Sequence, residues 1–376
     1  MTDAASRAPR PRARELGLQL GDLETGPINA ITDVPGVRVG HVTLIDDGVS
    51  PDLADAVRTG VTAILPHEGN LFRDKVPSAI HVINGFGKIV GTTQAAELGV
   101  IETPIILTNT LSVGTGFNGL VDHALRTNPE IGDTTGSVNP VVGECNDSQL
   151  NDMRGRHVKR DHVRAAIEGA QGGPVPEGGV GAGTGMVCYG WKGGIGTSSR
   201  MVASDSGRFA IGVLLLANFG EAGQLTIAGR RVGLRIVPPR GEEASRPESA
   251  GSCMIILATD APVSDRQLTR LARRAQNGLA RTGNLGAHMS GEYVIAFTNN
   301  RRLSHWPTTE RLASTELAED GRVIDLLFQA VVEATEEAVI NALFTANTVV
   351  GRLRHVRYGL PVDEVLQMIG GHRDGP

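Results

Sequence analysis

The chain has few aromatic residues, few cysteines and no long apolar run. Phe, Trp and Tyr make up 3% of its 376 residues, and its three cysteines stand at positions 145, 188 and 253. Three cysteines cannot all pair with one another, and their spacing matches no metal site, so we expect neither a disulfide framework nor a metal or other cofactor. No apolar run approaches the ~20 residues that cross a membrane, which excludes a membrane helix.

The sequence also lacks a strong excess of either charge. Lys and Arg total 36 and Asp and Glu total 41, which gives a net charge of −5. A marked basic excess would favour nucleic acid or an anionic membrane as a partner, and we therefore expect neither. The first 15 residues carry several arginines but no apolar segment typical of a secretory signal, so we expect a cytoplasmic protein.

Glycine, in contrast, is abundant, with 49 residues. Many of them lie in one block between Gly178 and Arg200, where a phosphate-binding loop is a natural first interpretation. Trp191 separates Gly190 from Lys192, however, so the G-K-[ST] motif is absent, and no three glycines fit G-x-G-x-x-G. We therefore predict closely packed strands and tight turns in this block.

Hydrophobic periodicity gives a coarse secondary structure. Short apolar runs between turn residues predict buried strands at 61–66, 79–87, 104–110, 209–220, 252–257 and 293–297. Helical spacing predicts helices at 93–98, around 121–125, at 162–168, from the Ser264 capping box to Gly283, from 322 to about 350, and after Pro361. We predict a disordered tail over residues 1–15 and one domain over residues 16–376.

The junction between Gly251 and Ser252 is the strongest candidate for chemistry. A polar, Pro-rich stretch at 238–247 predicts an exposed loop, and the apolar run begins directly at Ser252. A serine hydroxyl at such a point can attack the preceding carbonyl, cut the chain and leave a new N-terminal serine. Its α-amine, with a pKa near ~8, can then act as a base for the hydroxyl. A plain Gly-Ser turn that leads into a strand explains the same residues.

Polar side chains at the ends of other predicted strands are further candidates. Glu144 and Asn146 follow a strand and form either the rim of a site or a solvated loop. Asn218 ends a strand, where it either donates to an oxyanion or adopts the left-handed turn before Gly220. Ser290 and Glu292 stand two residues apart, so they share a face if that segment is a strand.

Several segments together resemble one family, the self-processing P1-type aminopeptidases, which include L-aminopeptidase/D-esterase and the β-aminopeptidases. The resemblance covers nearly the whole chain. The segments that carry it are Gly26-Pro27-x-Asn29-Ala30-Ile31-Thr32-Asp33-Val34-x-Gly36-Val37-x-Val39-Gly40-His41, Gly143-Glu144-Cys145-Asn146-Asp147, Gly181-Ala182-Gly183-Thr184-Gly185-Met186, Lys192-Gly193-Gly194-Ile195-Gly196-Thr197-Ser198-Ser199-Arg200, Gly251-Ser252 and Ala258-Thr259-Asp260-Ala261-Pro262.

The resemblance implies an α+β fold, a four-layer α-β-β-α sandwich, in a single catalytic domain that assembles as a homotetramer. It implies self-cleavage between Gly251 and Ser252 into an α chain, 1–251, and a β chain, 252–376. The enzyme would release N-terminal amino acids from small peptides, amides or esters with a free amine. By the same resemblance the catalytic residues are Ser252, Ser290, Glu292 and Asn218, and Glu144 holds the substrate amine.

One position departs from the family pattern, and two other functions remain open. Asn146 stands where some members have a tyrosine that helps to stabilise the oxyanion, and we expect Asn146, a shorter donor, to be a substrate-binding residue there. An acyltransferase similar to ornithine acetyltransferase would have a related fold. The nucleophile of that group is a threonine, whereas this chain has Ser252, which argues against this alternative. A non-catalytic binding protein of the same fold is the third hypothesis. The intact set of candidate catalytic residues argues against it.

Overall fold

The computed structural model describes residues 10–205, 207–239, 251–319 and 321–370. The strands are β1 Arg38–Asp46, β2 Val57–Leu65, β3 Asp74–Gly85, β4 Val100–Ile101, β5 Ile105–Asn109, β6 Val141–Cys145, β7 Val187–Cys188, β8 Trp191–Lys192, β9 Gly194–Ser204, β10 Gly207–Asn218, β11 Ser252–Thr259, β12 Gly291–Thr298, β13 Leu303–Ser304, β14 Val349–Val350 and β15 Val356–Arg357. The helices are α1 Thr92–Leu98, α2 Val113–Thr127, α3 Arg160–Glu168, α4 Asp265–Arg281, α5 Arg322–Thr345 and α6 Val362–Gly370. Short 3-10 turns connect several of them.

Two sheets form the centre of the molecule. The smaller sheet has the strand order β1-β2-β5-β6. The larger sheet has the order β13-β3-β12-β11-β10-β9, with β4 paired to β3. In the larger sheet β11 runs parallel to β12 and antiparallel to β10. Strands β11 and β12, which follow the predicted cleavage point, therefore lie between β3 and β10, which precede it.

Three layers of apolar side chains hold the sheets and helices together. Ile64, Leu107 and Ile256 belong to the cluster between the two sheets. A second cluster packs α2 and α3 on the outer face of the smaller sheet, and a third packs α4 and α5 on the larger sheet. The order of layers is thus helix, sheet, sheet, helix, which is the predicted four-layer sandwich.

Most of the predicted elements are present, and their limits follow local signals. Ser264 caps α4 with the expected box, in which its hydroxyl accepts from the backbone N–H of Gln267. Helix α5 ends at Thr345 rather than near 350, because Val349–Val350 pairs with β15 as a strand. The glycine-rich block forms β7, β8 and β9 with tight turns between them, as predicted.

The predicted disordered tail over residues 1–15 needs correction at its end. Residues 1–9 lie outside the described residues, but Arg10 to Glu15 are packed against the body. Arg10 donates to the carbonyls of Ala346 and Leu360, and Arg14 pairs with the buried Glu337 at 2.9 Å. Arginine looks solvated in a sequence, yet its five N–H donors can satisfy buried carbonyls and carboxylates.

Two further predictions concern the loop and the membrane. The loop predicted at 238–247 falls mostly on residues 240–250, which lie outside the described residues. Among the residues that the structure describes, no helix has the length and apolar character needed to cross a membrane.

Candidate active site

Ser252 lies at one end of the larger sheet, between two other strand ends. It is the first residue of β11, and it pairs with Asn218, the last residue of β10, and with Gly291, the first residue of β12. Only 6% of Ser252 is exposed. Because three strand ends meet at this edge, the side chains that the sequence places far apart come together here.

Asn218 is oriented so that its amide nitrogen faces Ser252. Its Nδ2 donates to Ser252 Oγ at 3.2 Å and to the carbonyl of Asn146 at 3.1 Å, and its Oδ1 accepts from the N–H of Val187 at 2.9 Å. These contacts exclude the flipped amide, because a flip would set the NH₂ group against the N–H of Val187 and Oδ1 against the carbonyl oxygen of Asn146. The left-handed turn is formed by Gly220 itself, with φ of 82°, so Asn218 remains in the strand.

Ser290 and Glu292 point to the same side of the chain, as the spacing predicts. Ser290 Oγ donates to Glu292 Oε1 at 2.9 Å, and both side chains are buried. The residue between them, Gly291, pairs with Ser252. Asn84 holds this segment in place, since its Nδ2 donates to the carbonyls of Ala287, His288 and Ser290.

Gly251 is required by space. A Cβ at this position would lie 2.5 Å from the Cα of Phe219, a distance that real Cβ atoms do not show. Its φ lies outside the left-handed region, so the backbone freedom of glycine is not the reason for glycine here. Its carbonyl accepts from the N–H of Gly291 at 3.1 Å, which fixes the carbonyl beside Ser252.

Glu144 forms a second polar cluster on the neighbouring sheet. Its Oε1 accepts from the backbone N–H of Lys88 at 3.0 Å, and its Oε2 accepts from the hydroxyl of Thr110. Each carboxylate oxygen can accept two hydrogen bonds, so each can accept one more. Because the carboxylate is buried, that further donor would bind away from water. The next residue, Cys145, contacts Ser252 across the two sheets. The alternative of a solvated loop is therefore wrong for Glu144.

Asn146 contributes its main chain to the site. Its carbonyl accepts from Asn218, while its side-chain Oδ1 accepts from the N–H of Ser148 at 2.9 Å. That side-chain contact is a local Asx turn, which commits the amide oxygen to the loop. Its role as a substrate-binding residue stays a prediction.

Burial disfavours the charged form of Cys145, which contacts Ser252, and of Asp147, two residues further along the chain. Burial raises the pKa of the Cys145 thiol well above its ordinary value. Burial also raises the pKa of Asp147 to about 7, against hydrogen bonds from Thr59 and Asn151 that lower it. The loop that supplies the Asn146 carbonyl is thus anchored by a carboxyl group that is half protonated near neutral pH.

A cavity of about 100 Å³ opens at this end of the larger sheet. Its walls include Asn218, Gly251, Ser290 and Glu292. Asn218, Ser290 and Glu292, three of the four predicted catalytic residues, therefore line a common space next to Gly251. The same cavity is lined by Asn284, which the sequence analysis did not single out.

Sequence reasoning missed the groups that orient the predicted ones. The N–H groups of Val187 and Lys88 carry no side-chain signal, so no pattern could reveal them. Thr110 and Asn284 are ordinary polar residues near a helix end, and only the folded chain brings them to Glu144 and Glu292. In the described part of the chain, no group of three or more His, Cys, Asp or Glu side chains is placed to hold a metal ion.

Comparison with known proteins identifies the family. The model of Peptidase family S58 matches residues 29–357. The chain belongs to peptidase family S58. It is a hydrolase of the aminopeptidase type with an N-terminal-nucleophile fold.

Individual members of family S58 agree with this chain over nearly their whole length. A β-peptidyl aminopeptidase, BapA, from Sphingosinicella xenopeptidilytica is 40% identical over 369 residues, which span 96% of this chain and 91% of that protein. The crystal structure of the PH0078 protein from Pyrococcus horikoshii OT3 is 50% identical, with a TM-score of 0.88 over 96% of this chain and 99% of that one.

A third S58 relative supports the fold assignment. The L-aminopeptidase D-Ala-esterase/amidase of Ochrobactrum anthropi, a serine aminopeptidase with a variant of the Ntn hydrolase fold, is 36% identical. Its TM-score is 0.88 over 96% of this chain and 99% of that one. The four-layer sandwich is therefore the fold of this S58 member.

Proposed function

We propose that this chain is a self-processing serine aminopeptidase whose nucleophile is Ser252. The observation that carries the proposal is the 3.2 Å contact between Asn218 Nδ2 and Ser252 Oγ at the end of the sheet, directly after Gly251. A hydroxyl that follows a sterically required glycine, beside a fixed amide donor, suits both chain cleavage and acyl transfer to water.

Cleavage would proceed by an acyl shift from nitrogen to oxygen. Ser252 Oγ attacks the carbonyl carbon of Gly251, the C–N bond breaks, and the nitrogen of Ser252 takes the proton. Asn218 and the N–H of Gly291 are the donors beside the developing oxyanion. Water then hydrolyses the ester, which leaves the carboxylate of Gly251 and a free N-terminal Ser252.

The mature enzyme would use the same hydroxyl on a substrate. Ser252 Oγ attacks the carbonyl of the substrate's first residue, with its own α-amine or the Ser290–Glu292 pair as the proton carrier. Asn218 donates to the oxyanion, and the leaving amine departs with a proton. Water then releases the acyl group, which restores the hydroxyl.

Glu144 would restrict the reaction to the first residue of a chain. Its buried carboxylate pairs with the substrate ammonium, and the contacts from Lys88 and Thr110 hold it in one orientation. A buried charge needs a partner to offset its desolvation, so a peptide bond inside a chain, with no ammonium, binds poorly. We propose substrates with a free amine, N-terminal β-amino acids included, since the relative from Sphingosinicella xenopeptidilytica is a β-peptidyl aminopeptidase.

The first experiment is the intact mass of the purified protein under denaturing conditions, for wild type, Ser252→Ala and the control Ser304→Ala. We expect two chains that end at Gly251 and begin at Ser252 in wild type and in the control, and one uncut chain in Ser252→Ala. A single 39.5 kDa wild-type chain that stays uncut on incubation would overturn the proposal. Hydrolysis of β- and α-aminoacyl amides, with and without an added amine acceptor, then separates hydrolase from transferase.

A further inference from the structure

One of the two carboxylate oxygens of Glu292 holds the side chain in place. Oε1 accepts from Ser290 Oγ at 2.9 Å and from Asn284 Nδ2 at 2.9 Å. In the described part of the chain, no group donates a hydrogen bond to Oε2, although that oxygen is buried. An unpaired buried acceptor is costly, so its presence beside a cavity calls for an explanation.

The amide of Asn284 has a fixed direction. Its Oδ1 accepts from the N–H of Gly286 at 2.9 Å, which leaves the NH₂ end to face Glu292. A flipped amide would set one oxygen against a carboxylate oxygen and its NH₂ against a backbone N–H. The donor that Asn284 presents to Glu292 is therefore determined by the turn in which it lies.

The backbone at Asn284 is in turn fixed to the end of α4. Its N–H donates to the carbonyl of Leu279 at 3.3 Å, just beyond the end of α4. Thr282 bonds the same carbonyl through its hydroxyl, at 2.7 Å, and contacts the hydroxyl of Tyr189 at 2.8 Å. A side chain on this support holds its position better than one on a free loop.

We propose that Asn284 is a positioning residue that, together with Ser290, holds Glu292 Oε1 and reserves Oε2 for the reacting groups. The inference rests on the proposed function. Both Asn284 and Glu292 line the cavity that Gly251 also lines, so Oε2 is the oxygen left to accept the proton or the N–H of the Ser252 amine. The unpaired Oε2 acceptor is then a feature of the resting geometry that substrate turnover uses.

Asn284 has a simpler explanation, because an Asx turn to Gly286 stabilises the loop by itself. Aspartate forms that turn as well as asparagine, and alanine does not. Aspartate, however, presents an oxygen where Glu292 needs a donor. The two roles therefore predict opposite orders for the two substitutions, which makes the pair of variants a direct test.

The test compares Asn284→Ala and Asn284→Asp with wild type and with Asn118→Asp, a control at an exposed position on α2. We measure kcat and KM on an aminoacyl amide, the extent of cleavage by intact mass, and the thermal midpoint. We expect kcat to fall by roughly 10- to 100-fold in Asn284→Ala, the loss typical of a hydrogen bond to a charged group, and further in Asn284→Asp, with little change in KM.

The order of the variants decides the outcome. Asn284→Asp with wild-type kcat, and Asn284→Ala impaired in kcat and thermal midpoint together, would overturn the inference and leave the proposed function intact. A wild-type protein that neither cleaves nor hydrolyses would overturn the proposed function, and the inference with it. Asn284→Asp that is folded, as stable as wild type and slower than Asn284→Ala supports the positioning role.

Discussion

The amide nitrogen of Asn218 lies 3.2 Å from the hydroxyl of Ser252, and the N–H of Val187 keeps it there. Asn218 is the last residue of β10 and Ser252 is the first residue of β11, and the two are paired in the sheet. In the mechanism that we propose, this donor is in place before any substrate binds, so no energy is needed to reorganise it during the reaction.

Loss of the Asn218 donor should slow the reaction without unfolding the protein. Asn218→Asp keeps the acceptor for Val187 but removes the N–H groups that face Ser252. We expect kcat to fall on the order of 10²- to 10³-fold, as for other oxyanion donors, with a smaller change in KM. Steady-state kinetics check this, and an unchanged kcat in a folded Asn218→Asp protein would rule out Asn218 as the donor.

Neutralising Glu144 should weaken substrate binding. Gln in its place can still accept from Lys88 N–H and can donate to the Thr110 hydroxyl, so the local structure is preserved. We expect KM for an amide with a free amine to rise by about 10- to 100-fold, the loss of one hydrogen bond to a charged group. Glu97→Gln, at an exposed position on α1, is the control. Equal KM values in wild type and Glu144→Gln would contradict the amine-binding role.

A methyl group at position 251 should slow chain cleavage. The added Cβ would meet the Cα of Phe219 at 2.5 Å, so the junction must shift and the carbonyl must leave its place beside Ser252. We expect Gly251→Ala to accumulate uncut chain, measured by intact mass over time. Gly136→Ala, where an added Cβ meets nothing within 4 Å, should cleave like wild type. Cleavage of Gly251→Ala at the wild-type rate would show that the close approach is not required.

Stability should depend on pH through Asp147. Burial raises the pKa of Asp147 to about 7 in the folded protein, whereas the unfolded value is near ~3.9. Between these values the folded state binds more protons, so stability falls as pH rises from about 4 to about 7, by up to roughly 1.4 kcal/mol for each pH unit. Above about pH 7 this loss is complete.

The variant Asp147→Asn isolates that effect. Its NH₂ group is a donor that does not titrate, and the Asn109 side chain beside it has a buried oxygen that accepts no hydrogen bond from the described residues. We expect the thermal midpoint of the variant to rise relative to wild type as pH increases from 5 to 7. Asp133→Asn, at an exposed site, should show no such trend. A constant difference between Asp147→Asn and wild type would contradict the raised pKa.

The pairing of Ser290 with Glu292 could be predicted from the sequence because residues two apart in an extended segment project to the same face. Asn218 and Ser252, the proposed oxyanion donor and nucleophile, were also accessible, since an apolar run ends at Asn218 and another begins at Ser252. The orienting groups were not accessible. Asn284 reaches Glu292 only because α4 ends in a turn whose shape depends on tertiary contacts, and Val187 acts through its backbone.

The packing of residues 10–15 against the body could not be predicted from the sequence for a related reason. Its arginines have no apolar periodicity, and their partners, Ala346 and Glu337 among them, stand more than 300 residues later. Long-range pairing of this kind leaves no local signature in a sequence. The same holds for the buried Arg200, which bonds Glu333 and Glu337 on α5.

The order of strands in the larger sheet has a consequence for a chain that is cut at Gly251. Strands β11 and β12, from the later piece, would lie in the middle of the sheet, with β10 and β3 from the earlier piece on either side. Arg10 and Arg14 of the earlier piece would also bind Ala346 and Glu337 of the later piece. The central strands of one piece would be hydrogen-bonded on both sides to strands of the other piece. Neither could leave by sliding away from a flat interface, and dilution alone would not separate them.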